Sequence, residues 1–294
     1  MKPLIILACL ALLTCDARSA QPQDLQNMPT RLMLHVTEFA GPGQGATIDY
    51  LPTVVAPAGT PAGAGVAAYL ITSLLVRGMN DSGRADALQF ATEAKAVADK
   101  AAVADALETA MTKRLDAGGL LRRTAIERVG DPALLEQPGL LIRVEEPLIL
   151  TLSARYFFHP DLRSLHMLST LRVWRKNGFT PIHQAELHYQ SSETPDSAKD
   201  RSQKHWTVDD GKLLQEALAE AVEQTAALMA VDLAQWQAGT ETAEPPLTAT
   251  WINVYDGKKE TGPLYVVGSA PGRWLARPRS KESTLLISLP RPAP

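Results

Sequence analysis

Apolar and polar residues alternate through positions 148–189, which read LILTLSARYFFHPDLRSLHMLSTLRVWRKNGFTPIHQAELHY. In residues 148–152 the leucines share one side, and such period-two alternation is typical of a half-buried strand. Turn residues divide the stretch at 159–161 and again at Lys176-Asn177-Gly178, where Asn-Gly supplies the positive φ angles of a tight hairpin. The pattern predicts a three-stranded antiparallel meander with one buried face and one polar face.

A helical region precedes this meander. Residues 82–116 are rich in Ala, Glu, Lys and Leu and contain no proline, which predicts helix. A break near residues 99–101 would divide the region into two helices, and Gly118-Gly119 ends it. Residues 120–129 are then predicted to form a strand.

A second helix is expected after the meander. Residues 191–204 read as a polar loop, and the helix would start at Asp209 as the capping residue, with Val208 packing on Leu213 as a hydrophobic staple. An apolar stripe at 3.6-residue spacing should lie across the buried sheet face; it consists of Leu214, Leu218, Ala221, Val222, Thr225, Met229 and Leu233.

These elements predict an α+β fold, in which helices pack on one face of an antiparallel sheet. Residues 31–39 alternate as a first strand, and four short strands after residue 247 indicate a small C-terminal β-meander. The expected organisation is a main domain at 20–236, a linker at 237–246 and the meander at 247–294. The patterning leaves open whether the meander is its own domain or an extension of the main sheet.

The first nineteen residues are typical of a secretion signal. Lys2 precedes an apolar run of about ten residues, shorter than the ~20 that span a bilayer as a helix. Ala17-Arg18-Ser19 fits a cleavage site before Ala20, and an alternative cut follows Ala17. The mature protein is therefore expected to be periplasmic or secreted, and it would carry no cysteine, because Cys9 and Cys15 both precede the cut.

Residues 12–15, Leu-Leu-Thr-Cys, resemble a bacterial lipoprotein box, with Thr where Gly, Ala or Ser is usual. The resemblance implies an alternative fate for Cys15, which would be acylated and retained as a membrane anchor. Asp16 would then follow the lipidated residue and favour retention in the inner membrane.

A second apolar segment, AGVAAYLITSLLV at residues 64–76, follows a loop rich in Gly, Pro and Ala at 41–65. A helix that is apolar all round is expected to be buried in a core. Alternatively, Tyr69, Leu70 and Leu74 of this segment would contact a partner protein or a membrane surface. At about thirteen residues, the segment is too short to span a bilayer.

Composition argues against several functional classes. The chain has 294 residues and a formal charge of −3; residues 1–19 hold two basic residues and one acidic residue, so the mature chain is near −4. That balance provides no basic surface for nucleic acid. No phosphate-binding loop or nucleophile elbow occurs, so no cofactor is predicted. His183, Glu186 and His188 do not predict a metal site, because His183 would face away from the other two on a strand.

The polar face of the meander supplies the candidate binding residues Arg155, Arg172, Trp174 and Arg175. Arginine and tryptophan are enriched at protein interfaces. The alternatives are a solvated sheet face or a face covered by helices 82–116. The favoured function is a non-enzymatic envelope protein that binds another envelope protein or itself.

Two alternative functions remain. One is a hydrolase of cell-wall or extracellular material, with candidate acids Glu145, Glu146, Asp161 and Glu186, and the other is a small-ligand carrier. The order of elements, with Tyr156-Phe157-Phe158 and Asp161-Leu162-Arg163 in the meander, resembles a group of uncharacterised exported proteobacterial proteins. The strands-then-helix plan is similar to that of small α+β domains of cell-envelope accessory proteins, an analogy of fold only.

Overall fold

The computed structural model describes residues 28–37, 81–136, 144–159, 162–176, 178–194, 199–239, 246–253, 258–280 and 283–291. The predicted signal at 1–19 with Cys15, the loop at 41–65 and the apolar segment at 64–76 with Tyr69, Leu70 and Leu74 lie outside these residues. So do Asp161 and most of the linker at 237–246. Within the described ranges, no helix combines the length and the hydropathy needed to cross a membrane.

Within these ranges, nine strands form one mixed sheet, in the order β2-β1-β3-β4-β5-β9-β8-β7-β6. Their bounds are β1 Pro29–Thr37, β2 Arg122–Arg128, β3 Leu148–Phe158, β4 Leu165–Arg175, β5 His183–Gln190, β6 Leu247–Ile252, β7 Lys259–Ala270, β8 Arg273–Pro278 and β9 Leu285–Pro290. The predicted meander is confirmed as β3, β4 and β5, paired antiparallel in sequence.

The described helices are α1 Asp81–Ala101, α2 Val103–Gly118, α3 Ala133–Glu136 and α4 Lys199–Ala238. The predicted break between the first two is confirmed, since Ala102 adopts a left-handed conformation with φ of 44°. Helix α4 starts earlier than the sequence predicted. Its backbone leaves helical geometry at Val208–Gly211, close to the predicted start, but residues 199–207 are also helical.

Packing explains this early helical turn in α4. Trp206 is only 1% exposed. Its ring meets Phe158 edge-on at 5.1 Å, and its Nε1 donates a hydrogen bond to the Leu162 carbonyl at 2.7 Å. Long-range contacts of this kind override a locally polar sequence, so the prediction of a loop throughout 191–204 was wrong for residues 199–204.

The α+β class with helices on one face is confirmed, but the sheet is mixed rather than wholly antiparallel. Strand β1 pairs in parallel with both β2 and β3, and β5 pairs in parallel with β9. Parallel neighbours need a long connection. Helices α1 and α2 provide it between β1 and β2, and helix α4 lies between β5 and the last four strands. The pairing of β9 with β5 joins the C-terminal meander to the main sheet.

The main core lies between the sheet and helices α1, α2 and α4, on what we call the helix-covered face. Leu150, Leu171 and Leu187 of the central strands and Leu218 and Leu233 of α4 are all fully buried there. The predicted stripe of α4 is confirmed as the packed side of that helix, which positions α4 across β4, β5 and β9.

The C-terminal half of the sheet curls, so that β6 approaches the end of β5. Ile252 N–H donates to Gln190 Oε1 at 3.1 Å although three strands lie between them in the sheet, and Lys259 pairs with Glu193 at 2.5 Å. The curl encloses a second core on the opposite face of the sheet, formed by Trp251, Leu264, Ala276, Ile287 and Leu289. This half therefore has the character of a partly open barrel.

Candidate functional site

Strand β6 forms one edge of the sheet within the described part of the chain. Asn253 N–H donates inward to the Lys258 carbonyl, whereas Ile252 N–H points outward to Gln190. Because backbone groups alternate along a strand, the N–H groups of Thr250 and Thr248 also point outward. Both threonines are exposed, as is Leu247 at 39%.

The other edge, β2, has a different character. Its sequence RRTAIER is strongly charged. Arg128 pairs with Asp105 at 2.5 Å and with Glu108 at 2.7 Å, and Glu127 pairs with Arg31 at 3.2 Å. Charged side chains discourage a further strand from pairing with a sheet edge. The β6 sequence LTATWI carries no charge, so of these two edges β6 is the one suited to strand addition.

A surface depression of about 490 Å³ adjoins β6. Trp251 and Gly262 line its apolar part, and Arg279 and Glu260 line its polar part. Arg279 binds Glu260 through two nitrogens, at 3.1 and 2.5 Å. A Cβ on residue 262 would lie 3.3 Å from the Trp251 ring, so glycine at this position allows the ring to approach the β7 backbone closely.

The four predicted binding residues do not form one surface. Trp174 is 4% exposed, packs with Met33 and Ile149, and donates its Nε1 hydrogen to Thr151. It is therefore a core residue of the opposite face and is not available to a partner. Arg172 lies on the same face, where its Nε donates to the exposed Gln184.

Arg155 and Arg175 lie apart from that position. Arg155 is half-buried and opposite Leu168 in the register, near the other end of the meander. Arg175 pairs with Leu148, so alternation places it on the helix-covered side, at the end of β4. The helices 82–116 pack on the helix-covered face and do not cover Arg155 or Arg172.

Two histidines of the opposite face form a buried pair. His166 Nδ1 lies 2.8 Å from His188 Nε2, and Ser164 Oγ lies 2.8 Å from His166 Nε2. The His166 ring is stacked between Phe157 at 5.4 Å and His188 at 5.1 Å. Each of the two histidines is 1% exposed.

Burial keeps this pair neutral. It lowers the pKa of His188 to about 3, with a further contribution from the positive charge of Arg273. It also lowers the pKa of His166 well below its ordinary value, helped by His188 and His159. His188 Nδ1 has no hydrogen-bond partner among the described residues. A buried nitrogen that lacks a donor costs less free energy than a buried N–H that lacks an acceptor. We therefore assign the ring proton of His188 to Nε2, which donates to His166.

His183 lies on the helix-covered face, away from His188, as the strand alternation predicted. Its Nε2 donates to Asp232 of α4 at 2.5 Å, and Arg277 of β8 approaches the same carboxylate at 3.3 Å. Asp232 is 1% exposed. The His183 ring stacks on Trp236 at 4.7 Å. This arrangement ties α4 to two strands, and no group of three metal-ligating side chains occurs among the described residues.

A second polar network ties the middle of α4 to the sheet. Tyr189 donates its hydroxyl to Glu220 at 2.7 Å, and Arg273 binds the other oxygen of that carboxylate at 3.0 Å. Arg273 also lies 4.6 Å above the Tyr189 ring and donates to Ser288 and to the Gln190 carbonyl. Burial raises the pKa of Tyr189, as does its bond to Glu220. In both networks the charged groups pair with one another across the contact between α4 and the sheet, which indicates a structural role, although Arg277 Nε has no hydrogen-bond partner among the described residues.

The three candidate glutamates, which are the candidate acids that the structure describes, do not form one cluster. Arg31 holds Glu146 through two hydrogen bonds, at 2.9 and 3.2 Å, and Glu145 is exposed. The register aligns Glu186 with Ser153 through β4, whereas Glu146 lies two residues before the start of β3. From Leu148 to Ser153 alone the strand rises by about 17 Å. Paired glycosidase carboxylates lie about 5–9.5 Å apart, so these two do not form such a pair.

Comparison with known proteins adds no functional information. No family model matches the chain, and no curated protein matches it significantly. One solved structure that it resembles is the hypothetical protein CT253 from Chlamydia trachomatis, with 13% sequence identity and a TM-score of 0.27. That match covers 70% of this chain and 98% of the other.

Proposed function

We propose that this chain is a non-enzymatic cell-envelope protein that binds a protein partner, or a second copy of itself, through the edge strand β6. The observation that carries the proposal is the uncharged edge of β6, with the outward backbone groups of Thr248 and Thr250. Export rests on the signal-like residues 1–19, and acylation of Cys15 would place the same protein on a membrane.

Strand addition accounts for the features of this edge. An added strand gains affinity from main-chain hydrogen bonds and specificity from pockets for alternate side chains. The outward N–H groups of β6 would donate the main-chain hydrogen bonds, and the depression beside Trp251 would serve as one side-chain pocket. The six residues of β6 match the length of an ordinary strand.

The proposal favours binding over the two alternatives. The glutamates named as hydrolase candidates are separated or paired with arginine. A carrier would need a cavity between α4 and the sheet, but Leu214, Leu218 and Leu233 of the helix are fully buried in the core there. Neither alternative is supported by a feature comparable to the β6 edge.

A proline substitution tests the proposal. Thr250→Pro removes only an outward N–H, which an edge strand tolerates because its pairing with β7 is kept. We expect the variant to lose partner capture from envelope extract, or self-association measured by light scattering. Thr250→Val is the matched control, since it keeps the N–H and the branched shape and should behave as the wild type.

Two results would overturn the proposal. One is a purified wild-type protein that stays monomeric and captures nothing from envelope extract. The other is a Thr250→Pro protein that binds as the wild type does. Thr248→Lys provides a second variant in case the proline disturbs folding, and circular dichroism verifies the fold of each protein.

A further inference from the structure

The turn between β4 and β5 carries the most exposed large apolar side chain in the described part of the protein. Phe179 is 84% exposed, compared with 50% for Val208 and 39% for Leu247. The turn is well held, because Gly178 N–H donates to the Arg175 carbonyl and Ile182 N–H donates to the Val173 carbonyl. An ordered hairpin therefore presents the phenylalanine to its surroundings.

Two cations, Arg175 and Lys176, lie at the end of β4 that leads into this turn. Residues 162–185 contain no Asp or Glu. Lys176 Nζ donates to the carbonyl oxygen of Glu145, and Lys176 forms no ion pair with a described residue. Arg175 forms no ion pair with any residue that the structure describes. The tip of the hairpin thus combines one exposed aromatic ring with two adjacent cations.

The chain enters the fold at the same end of the sheet. Thr30 of β1 pairs with Leu148 of β3, and Leu148 pairs with Arg175 at the end of β4. Twenty-seven residues precede Met28. Were Cys15 acylated, the thirteen residues from Cys15 to Met28 could span at most about 45 Å. An anchored N-terminus would therefore bring this end of the protein to the membrane.

We propose that residues 175, 176 and 178–181 are a membrane-surface contact, in which Phe179 inserts at the lipid interface and Arg175 and Lys176 bind anionic phospholipid headgroups. Aromatic rings favour the interface, and each nearby cation strengthens binding to anionic lipid. The chemistry favours lipid, because one exposed aromatic ring beside two cations matches the boundary between acyl chains and anionic headgroups. The contact is independent of the β6 edge.

Vesicle binding by the full chain tests this contact. Every protein carries Cys15→Ser, so that an acyl anchor cannot mask the effect of the turn, and all are prepared from the same bacterial host. Sedimentation is measured with phosphatidylcholine vesicles with and without phosphatidylglycerol. We expect binding to the anionic vesicles, which Phe179→Ala weakens by about tenfold or more. Lys176→Gln should weaken it by about fivefold on anionic vesicles only.

Two further variants act as controls. Phe179→Trp retains an aromatic ring and should bind like the wild type, and Leu247→Ala removes an exposed apolar side chain elsewhere and should also leave binding unchanged. The inference is overturned if Phe179→Ala binds as tightly as the wild type, if neutral and anionic vesicles bind equally, or if neither binds. Loss of partner capture by the β6 variants would not affect any of these results.

Discussion

Acidification from about pH 7.5 to about pH 4.5 should destabilise this protein through the buried pair His166 and His188. An unfolded histidine has a pKa near 6.5 and takes up a proton in this range. In the folded protein, burial holds the pKa of His188 at about 3 and that of His166 well below its ordinary value. The unfolded state thus binds more protons, and stability falls as the pH falls.

The magnitude follows from the pKa difference. The stability that a neutral buried histidine contributes is fully present above pH 6.5. It is lost progressively as the pH falls towards the pKa of the folded state, which is about 3 for His188. For His188, two pH units below 6.5 cost about 3 kcal/mol, a large part of the ~5–15 kcal/mol that stabilises a typical protein. His166 adds to the loss in the same direction, because burial lowers its pKa as well.

Urea unfolding at the two pH values, followed by circular dichroism, measures the effect. Carboxylates also titrate in this range, so the decisive quantity is the difference between wild type and His188→Gln. The variant should lose about 3 kcal/mol less than the wild type on acidification. Ser164→Ala removes a hydrogen bond but no titrating group, and its pH dependence should stay near that of the wild type. Equal losses in wild type and His188→Gln would refute a neutral buried His188.

Three substitutions test packing and buried polar contacts by urea or thermal unfolding. Gly211→Ala should cost about 2–4 kcal/mol, because φ is +73° and the new Cβ would lie 2.3 Å from Val97 Cγ2; a Gly211→Ala protein as stable as the wild type would contradict this. Asp232→Asn should cost about 3 kcal/mol, since it leaves Arg277 buried without a counter-charge, and an unchanged midpoint would argue against the ion pair. Tyr189→Phe should cost about 1–2 kcal/mol through loss of a hydrogen bond to a carboxylate, and no measurable loss would show that water replaces that bond.

Local patterns in the sequence predicted much of the architecture. The alternation in residues 148–189 and the Asn-Gly turn indicated the meander, and the composition of 82–116 indicated two helices with a break. These predictions succeed because period two, period 3.6 and turn chemistry depend on residues a few positions apart. The same locality explains why the opposite orientations of His183 and His188 were predictable.

Local patterns did not predict the contacts between residues that are distant in sequence. The buried environment of Trp174 depends on Met33, and the hydrogen bond of His183 reaches Asp232, 49 residues away. The local sequence around Phe179 does not predict whether its ring is buried or exposed. Its 84% exposure depends on how the whole hairpin packs.

The sequence by itself determined the order and the types of most elements, the faces of the central strands and the uncharged composition of β6. Only the tertiary structure decided that the sheet is mixed, that its C-terminal half curls to bring Ile252 to Gln190, and that β6 is an edge of the sheet formed by the described residues. Strand order and curvature depend on which apolar faces bury one another across the whole chain. That is a property of the packed chain, which no local window of residues encodes.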